Sequence, residues 1–450
     1  MKKTLQLFIK VVSLLGLLSM PNSMCLAESH DQLVEIVSEG LKNAYDVKSQ
    51  QLKLEQSQNL LRNSYYSLLP KVTLSGGRTI TRTESQPSGY VQADTTATNS
   101  ASASASWTLF DNYQAIRNIQ TADLTFEVAK KQTRKQVHTY ILNLINLYLQ
   151  YQLLLSQRIT LEDSLKQNRW TQEESAALVA AGARTRLDSM DSEIAVVNTE
   201  RDLLELNNSI DSAERNIFAI LNSDRYKKLP VIDLIKLNPY YMKDFDKKLV
   251  VIREQAKKDL EQVNPDLQIA HQQLDVSLLN LKQTNLGYWP STSLVLSHTM
   301  DLGNLVQTPA AGMSAVPLNT SSIQLQFTWQ IWDWWITPRT IANAQKDYDI
   351  SRFQYRQTFL QTNSDVQNSL DAYDVLEKSI YASNLALDKA KIQMAYSREM
   401  FRLGRITLLV MQQSVSRVRD AQIALATRLE NKYVLAAQIL DKMGYELFPN

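Results

Sequence analysis

Two kinds of hydrophobic periodicity alternate along the chain, and their order occurs twice. Residues 323–331 alternate apolar and polar side chains with a period of two, which is typical of a strand with one apolar and one polar face. From about residue 336 to 402 a helical pattern follows without a glycine. A strand-like run at 100–110 likewise precedes a helical pattern from about 112 to 180. At 1.5 Å per residue, each pattern predicts a helix roughly 100 Å long.

Each long helical pattern stops at a glycine and is followed by a shorter return helix. Gly182 and Gly404 fit helix C-caps, and Thr185-Arg186-Leu187-Asp188 fits a capping signal that restarts the helix. Apolar residues spaced three and four apart predict a coiled-coil seam on each return helix. The first seam is Val196, Leu203, Leu206, Ile210, Ala213, Ile217 and Ile220, and the second is Ala426, Leu429, Tyr433, Ala436, Leu440 and Met443.

The two halves of the chain align in one frame without gaps. At a constant offset of 222 residues, Trp107 matches Trp329 and Gly182 matches Gly404. A repeat of this length in a single register predicts a duplicated architecture. We therefore expect a first repeat at 28–222, a linker region at 223–260 and a second repeat at 261–450, each repeat containing a helix, a β-hairpin, a long helix and a return helix.

The first 27 residues have the pattern of a secretory signal peptide. Lysines flank an apolar run at 11–20, and Ala27 provides a small residue at the expected cleavage point. A lipoprotein signal ending at Cys25 is the alternative, although Ser23 and Met24 are a poor match to the small residues that such a signal needs. Export from the cytoplasm is predicted in either case.

Composition argues against several classes of function. The chain has one Cys, four His and a formal net charge of +2, which is little material for a metal centre and no signature of nucleic-acid binding. It also contains no Gly-x-Ser-x-Gly, no phosphate-binding glycine loop and no His-Glu-x-x-His. We expect no enzymatic activity, no cofactor and no metal site.

Tryptophans are concentrated around the predicted strands. A cluster of this kind at strand ends predicts an aromatic girdle at a membrane interface. No run of about 20 apolar residues follows residue 27, so entry into a membrane would have to use strands. Four strands cannot close a barrel alone, which predicts that several chains combine. The girdle residues are Trp107, Trp289, Trp329, Trp332, Trp334 and Trp335.

In this order of elements, the chain resembles the outer membrane efflux protein family, the TolC-like channels. The resemblance covers about residues 30–446 and is carried by Asn264-Pro265-Asp266-Leu267, by the runs 107–111 and 329–333, and by the two glycines. It implies an α+β membrane protein made mostly of long α-helices, which form a trimeric helical barrel. Four β-strands per chain would complete a 12-stranded outer-membrane β-barrel.

The resemblance also implies a function. It indicates a homotrimeric, passive exit duct of a tripartite efflux or type I secretion system, placed in the outer-membrane lipid of a Gram-negative cell with its helical part in the periplasm. A periplasmic adaptor (membrane fusion protein) would dock on the tips, and an inner-membrane transporter of RND, ABC or MFS type would supply energy. A trimeric autotransporter-like adhesin and a periplasmic coiled-coil structural protein are the alternatives.

Site residues follow from the same resemblance. Phe401 matches a Tyr of the best-known member that helps to latch the closed gate, and Phe cannot donate that hydrogen bond. Val410 and Gln413 match an acidic ring, so a neutral constriction with weak cation binding is predicted. The adaptor-docking tips match Gly182, Thr185, Leu187, Gly404, Thr407 and Leu409, and the gate or constriction matches Asp188, Asp191, Phe401, Val410 and Gln413.

Overall fold

The computed structural model describes residues 28–85, 92–222, 229, 239–243, 245–304 and 319–448. The predicted signal peptide and much of the predicted linker region lie outside these residues. The described part of the chain is mostly helical and contains one four-stranded antiparallel sheet, which confirms the predicted fold class for the single chain.

The elements follow the same order in both halves of the sequence. They are α1 (Glu28–Asn43), α2 (Tyr45–Tyr66), β1 (Lys71–Ser85), β2 (Gln92–Phe110), α3 (Gln114–Ala180), α4 (Arg186–Leu221), α5 (Phe245–Lys258), α6 (Leu260–Val263), α7 (Pro265–Thr284), β3 (Ser291–Asn304), β4 (Asn319–Thr328), α8 (Ile336–Arg402) and α9 (Leu408–Lys442). Short 3-10 helices occupy Tyr240–Met242 and Asn285–Tyr288.

The long helices agree closely with the helical patterns, because no glycine interrupts either one. Both α3 and α8 contain 67 residues. The first predicted helix differs, since α1 and α2 are separated at the buried Ala44. The last strand is shorter than its alternating pattern: β4 ends at Thr328, not at Ile331. Among the described residues, no α-helix is both long enough and apolar enough to cross a membrane.

The chain divides into two compact units. The first, here called the helical unit, contains the described residues up to Tyr45, His138–Gln255 and the described residues from Val366 onward. Its core includes Leu144 and Ile145 of α3, both with 0% exposure. The predicted seams of the return helices lie partly in this core, since their buried positions are Val196, Ile210, Ile217, Ala426, Tyr433, Ala436, Leu440 and Met443, and the other seam residues are half-buried.

The second unit, here called the sheet unit, contains Asp46–Val137 and Ala256–Asp365. Its strands lie in the order β1-β2-β3-β4, and every neighbouring pair is antiparallel. The central pair, β2 and β3, brings the two halves of the sequence together. The two hairpins are therefore parts of one sheet, although α3 and α4 separate them in the chain.

The register gives this sheet one apolar and one polar face. Successive strands place Val72, Ala105, Leu296 and Ile323 directly opposite one another in an apolar row. The adjacent row, on the other face, contains Thr73, Ser104, Ser297 and Ser322, with the last two hydroxyls 2.7 Å apart. Val72 is 76% exposed and Ile323 is 79% exposed, so the apolar face is uncovered within a single chain.

Candidate functional site

The first turn of the helical unit joins α3 to α4 through a left-handed glycine. Gly182 has φ +72°, and its N–H donates to the carbonyl of Val179 while the Ala183 N–H donates to that of Leu178. These two hydrogen bonds form a Schellman motif, which confirms the predicted C-cap. A Cβ at Gly182 would meet no atom within 4 Å, so the glycine is required by backbone conformation and not by space.

The helix after this turn begins with the predicted capping box. The Thr185 side chain accepts from the backbone N–H of Asp188, and an Asp188 carboxylate oxygen accepts from the Thr185 N–H at 3.2 Å. The same carboxylate oxygen lies 3.0 Å from the Thr185 hydroxyl. Because its carboxylate serves the capping box, Asp188 is held close to its own helix start.

The second turn, between α8 and α9, repeats the first with one difference. Gly404 has φ +68°, and the N–H groups of Gly404 and Arg405 donate to the carbonyls of Phe401 and Met400. Thr407 is the N-cap and accepts from the Val410 N–H at 3.4 Å. Valine cannot return a hydrogen bond, so this helix start has a single cap where the first has a reciprocal pair.

Two hydrogen bonds join the turns to each other. The Arg184 guanidinium donates to the carbonyl of Ile406, and its carbon lies 4.6 Å from the centre of the Phe401 ring. Farther along the helices, the Gln412 amide donates to the Asp191 carbonyl at 3.3 Å. The two turn regions of one chain are therefore held together by Arg184 from the first turn and by Gln412 from α9.

A small apolar core lies directly behind the turns. Phe401 has 0% exposure and is grouped with Leu408, Met411 and Val415. Trp170 packs against this core with its ring 6.4 Å from that of Phe401, and the Arg398 guanidinium lies 4.2 Å from the Trp170 ring. Phe401 thus lies in the interior of the helical unit, where its ring contributes to packing.

The predicted docking and gate residues otherwise lie at the surface of the turns. Leu187 and Leu409 are 66% and 62% exposed. Val410 is 40% exposed, and Gln413 and Asp191 are also exposed. The predicted docking residues thus lie in the two turns and at the helix starts that follow them, whereas the predicted gate positions other than Phe401 lie within the first two turns of α4 and α9.

Two of the tryptophans predicted to form a girdle have equivalent structural contacts in the sheet unit. The Trp107 indole donates to the Leu68 carbonyl and the Trp329 indole to the Tyr288 carbonyl, each at 3.0 Å. Trp107 lies near the end of β2 and Trp329 directly after β4. Each indole thus bonds to the segment that comes just before the first strand of its own hairpin. The remaining girdle residues are exposed, and the Trp332 ring makes edge contacts with Trp334 at 6.0 Å and Trp335 at 6.3 Å.

Each long helix begins in the sheet unit, after two residues with left-handed backbone. Asn112 and Tyr113 both have φ 61°, and Trp334 and Trp335 have φ 54° and 67°. Such values are rare for bulky residues and mark local strain. In both cases the aspartate before these residues stabilises the helix start. The Asp111 carboxylate accepts from the Ala115 N–H, and the Asp333 carboxylate accepts from the Thr337 N–H.

The hydrogen bonds from Thr337 also lower the pKa of Asp333. An ionised carboxylate at the start of α8 is favourable, because the positive end of the helix dipole lies there. The two long helices therefore begin with the same backbone geometry, even though Trp334 and Trp335 occupy the positions of Asn112 and Tyr113.

Sequence reasoning missed the side chains that hold the turns together. Arg184, Trp170, Arg398 and Gln412 all act across different helices, so no local spacing marks them. One signal was present, because Trp170 is the tryptophan that lies apart from the predicted strands.

Comparison with protein families identifies one match that covers most of the chain. The family model described as "Outer membrane efflux protein" matches residues 36–223 and 257–443. The two matched segments correspond to the two halves of the repeat. No curated protein sequence matches the chain.

Several solved structures share the fold at low sequence identity. The outer-membrane channel OprN aligns with a TM-score of 0.76 and 17% identity, covering 94% of this chain and 93% of its own. The CmeC outer membrane channel of Campylobacter jejuni gives 0.74 and 14%, covering 97% and 92%. The outer membrane protein VceC of Vibrio cholerae gives 0.74 and 12%, covering 95% and 100%.

Proposed function

The chain belongs to the outer membrane efflux protein family, and from this premise we propose that three copies of it form a passive exit duct of an efflux or type I secretion system. The family places the protein in the outer membrane as an efflux channel. The trimer, the partners and the roles of individual residues are the finer parts of the proposal.

The observation that carries the trimer is the open, two-faced sheet. Within the described residues, β1 and β4 each pair on one side only, so both outer edges of the sheet are free. An unpaired backbone N–H or C=O group in lipid costs several kcal/mol, because no water is present there to form the missing hydrogen bond. Three copies joined edge to edge would supply twelve strands and leave no edge, with the apolar rows towards lipid and the serine and glutamine rows towards water.

Exposed apolar seams on the helical unit support the same assembly. Besides its buried seam, α4 carries a second apolar stripe at Met190, Ile194, Val197 and Leu204. A similar stripe on α8 contains Tyr381, Leu385, Ile392 and Tyr396. All eight side chains are at least half exposed, and heptad-like stripes of this size normally pack against another helix. We assign both stripes to contacts between copies.

In this proposal the duct has no energy source of its own. An inner-membrane transporter drives the cargo, and a periplasmic adaptor docks on the turns at Gly182 and Gly404. The signal peptide at 1–27 directs the chain out of the cytoplasm and is removed. The sheet crosses the outer membrane, and the helical unit lies in the periplasm.

The trimer and the conductance can be tested on protein extracted from outer membranes in mild detergent. Native mass spectrometry should give three copies, and planar bilayers should show stepwise ion conductance. The variant Ile194→Glu with Val197→Glu charges the exposed stripe of α4 and should reduce trimer yield. Asn198→Glu with Ser209→Glu adds the same charge outside the stripe and should assemble normally. A monomeric protein, or a trimer without conductance, would contradict the proposal.

A further inference from the structure

The two turns of the helical unit are rich in arginine and contain no acidic residue. Residues 181–187 include Arg184 and Arg186, and residues 402–410 include Arg402 and Arg405. Neither segment contains Asp or Glu, although the whole chain has almost equal numbers of basic and acidic residues. Positive charge is thus concentrated at the turns.

Two of the four arginines are occupied within the chain. Arg184 lies over the Phe401 ring and donates to the Ile406 carbonyl. Arg402 forms an ion pair with Glu399 at 3.0 Å. These two cations are balanced or used in holding the turns.

The other two arginines have no such partner. Arg186 and Arg405 are both exposed, and in the described part of the chain neither guanidinium has an ion pair or a hydrogen bond. The nearest acid in sequence, Asp188, directs its carboxylate to Thr185. Among the described residues of the helical unit, none therefore forms an ion pair with these two cations.

Exposed leucines flank the free cations. In the sequence, Leu187 follows Arg186, and Leu403 and Leu409 come before and after Arg405. Their exposures are 66%, 58% and 62%. We call Arg186, Leu187, Leu403, Arg405 and Leu409 the tip surface. A partner that covers the leucines also removes water from the arginines, which is costly unless it supplies opposite charge.

We propose that the tip surface binds a protein partner whose docking surface carries carboxylates beside apolar side chains. This inference rests on the proposed function, since it names the chemistry of the partner that docks on the turns. Arg186 and Arg405 each pair with a carboxylate, for which the planar guanidinium offers two parallel hydrogen bonds. The leucines supply the apolar contact, and the charges select the partner.

The test uses the detergent-solubilised trimer and two designed helical hairpins as probes. The hairpins share length and apolar tip residues, but one has two Glu beside the tip and the other has two Lys. Both are displayed on a trimeric scaffold, so that weak single contacts add through avidity. At 50 mM salt the Glu hairpin should bind about tenfold more tightly than the Lys hairpin, and the difference should shrink at 500 mM salt, because exposed ion pairs are screened.

Charge reversal in the channel should invert this preference. Arg186→Glu with Arg405→Glu should bind the Lys hairpin more tightly. The matched control, Arg215→Glu with Arg417→Glu, makes the same change of charge at two exposed arginines of α4 and α9 away from the turns and should keep the preference for Glu. Equal binding of both hairpins by the original trimer, or an unchanged preference after reversal at the turns, would overturn the inference.

Bilayer conductance measured on the same preparations separates the two proposals. A trimer that conducts but shows no preference for the Glu hairpin contradicts the inference alone. A protein that neither assembles nor conducts contradicts the proposed function itself.

Discussion

Arg184 connects the two turns of the helical unit by two simultaneous interactions. Its planar guanidinium lies over the Phe401 ring and donates to the Ile406 carbonyl at the same time. Lysine would keep the charge but lose the planar stacking and the forked donors. The contact therefore depends on shape as well as on charge.

We predict that Arg184→Lys loosens the two turns relative to each other. Spin labels at Leu187 and Leu409 should give a broader distance distribution by pulsed electron paramagnetic resonance than in the unchanged background. Arg405→Lys is the control, since that guanidinium has no partner within the described chain and its replacement should leave the distribution unchanged. Identical distributions for Arg184→Lys and the unchanged protein would show that the Arg184 contact does not hold the turns.

The left-handed glycines permit a test of backbone strain without steric clash. Gly182 has φ +72° and open space around the position of a Cβ. Gly182→Asn should be tolerated, because Asn adopts this conformation, whereas Gly182→Val should weaken the turn by about 1–2 kcal/mol. The backbone amides at positions 182 and 183 should then exchange hydrogen about tenfold faster in the Val variant than in the Asn variant. Equal exchange in both variants would mean that φ does not limit this turn.

The sequence predicted these caps because their signals are local. A glycine after a long helical pattern and a Thr three residues before Asp are read from adjacent positions, and both were found in place at Gly182 and Thr185. The contact of Arg184 with Ile406 and Phe401 was not predicted. It joins distant parts of the chain, and no spacing rule covers a cation placed over a ring by tertiary packing.

At the level of elements, the hydrophobic periodicity predicted the type and order of the helices and strands well. It predicted the residues at which they end less well. The long helices match their patterns because each runs without a glycine to its cap. The strand β4 ends early because Thr328 lies opposite Ser291, the first residue of β3, so this partner strand offers nothing further to pair with. Alternation continues to Ile331 in the sequence, but the hydrogen-bonded ladder does not.

The two-faced sheet predicts opposite outcomes for neighbouring substitutions in β4. Leu325 lies opposite Leu294 on the apolar face, and Gln324 belongs to the other face. Leu325→Arg should cost about 2–4 kcal/mol if it faces the lipid near the midplane. Gln324→Arg should face water and assemble normally. Heat-resistant trimers on denaturing gels measure the difference, and equal yields from the two variants would contradict the assignment of the faces.

For the whole molecule, the charge of the constriction decides how the duct responds to cations. We predict that Val410 and Gln413 form a neutral ring in the trimer, so millimolar hexamminecobalt should block the conductance only weakly. Val410→Asp with Gln413→Asp should create a strong block, because converging carboxylates in a narrow throat attract multivalent cations. High salt should relieve it, since the attraction is screened.

Asp188 and Asp191 provide the competing assignment of the constriction. Asp188 is engaged by Thr185 in the capping box, but Asp191 is exposed. Tight block of the unmodified channel, relieved by Asp188→Asn with Asp191→Asn, would place the ring on α4 and contradict the assignment to α9.

The pairing of β2 with β3 determines when the sheet can form during synthesis. Phe110 lies opposite Thr292, so the central ladder closes only after α3, α4 and the start of the second half have been synthesised. Closing so long a loop is slow, because chain entropy must be lost before any contact between the hairpins stabilises it. Until then the first hairpin has two unpaired edges and an uncovered apolar face, a combination that favours aggregation. The duplicated architecture therefore creates a kinetic requirement: the nascent first half must be kept apart from other copies until its own second half arrives.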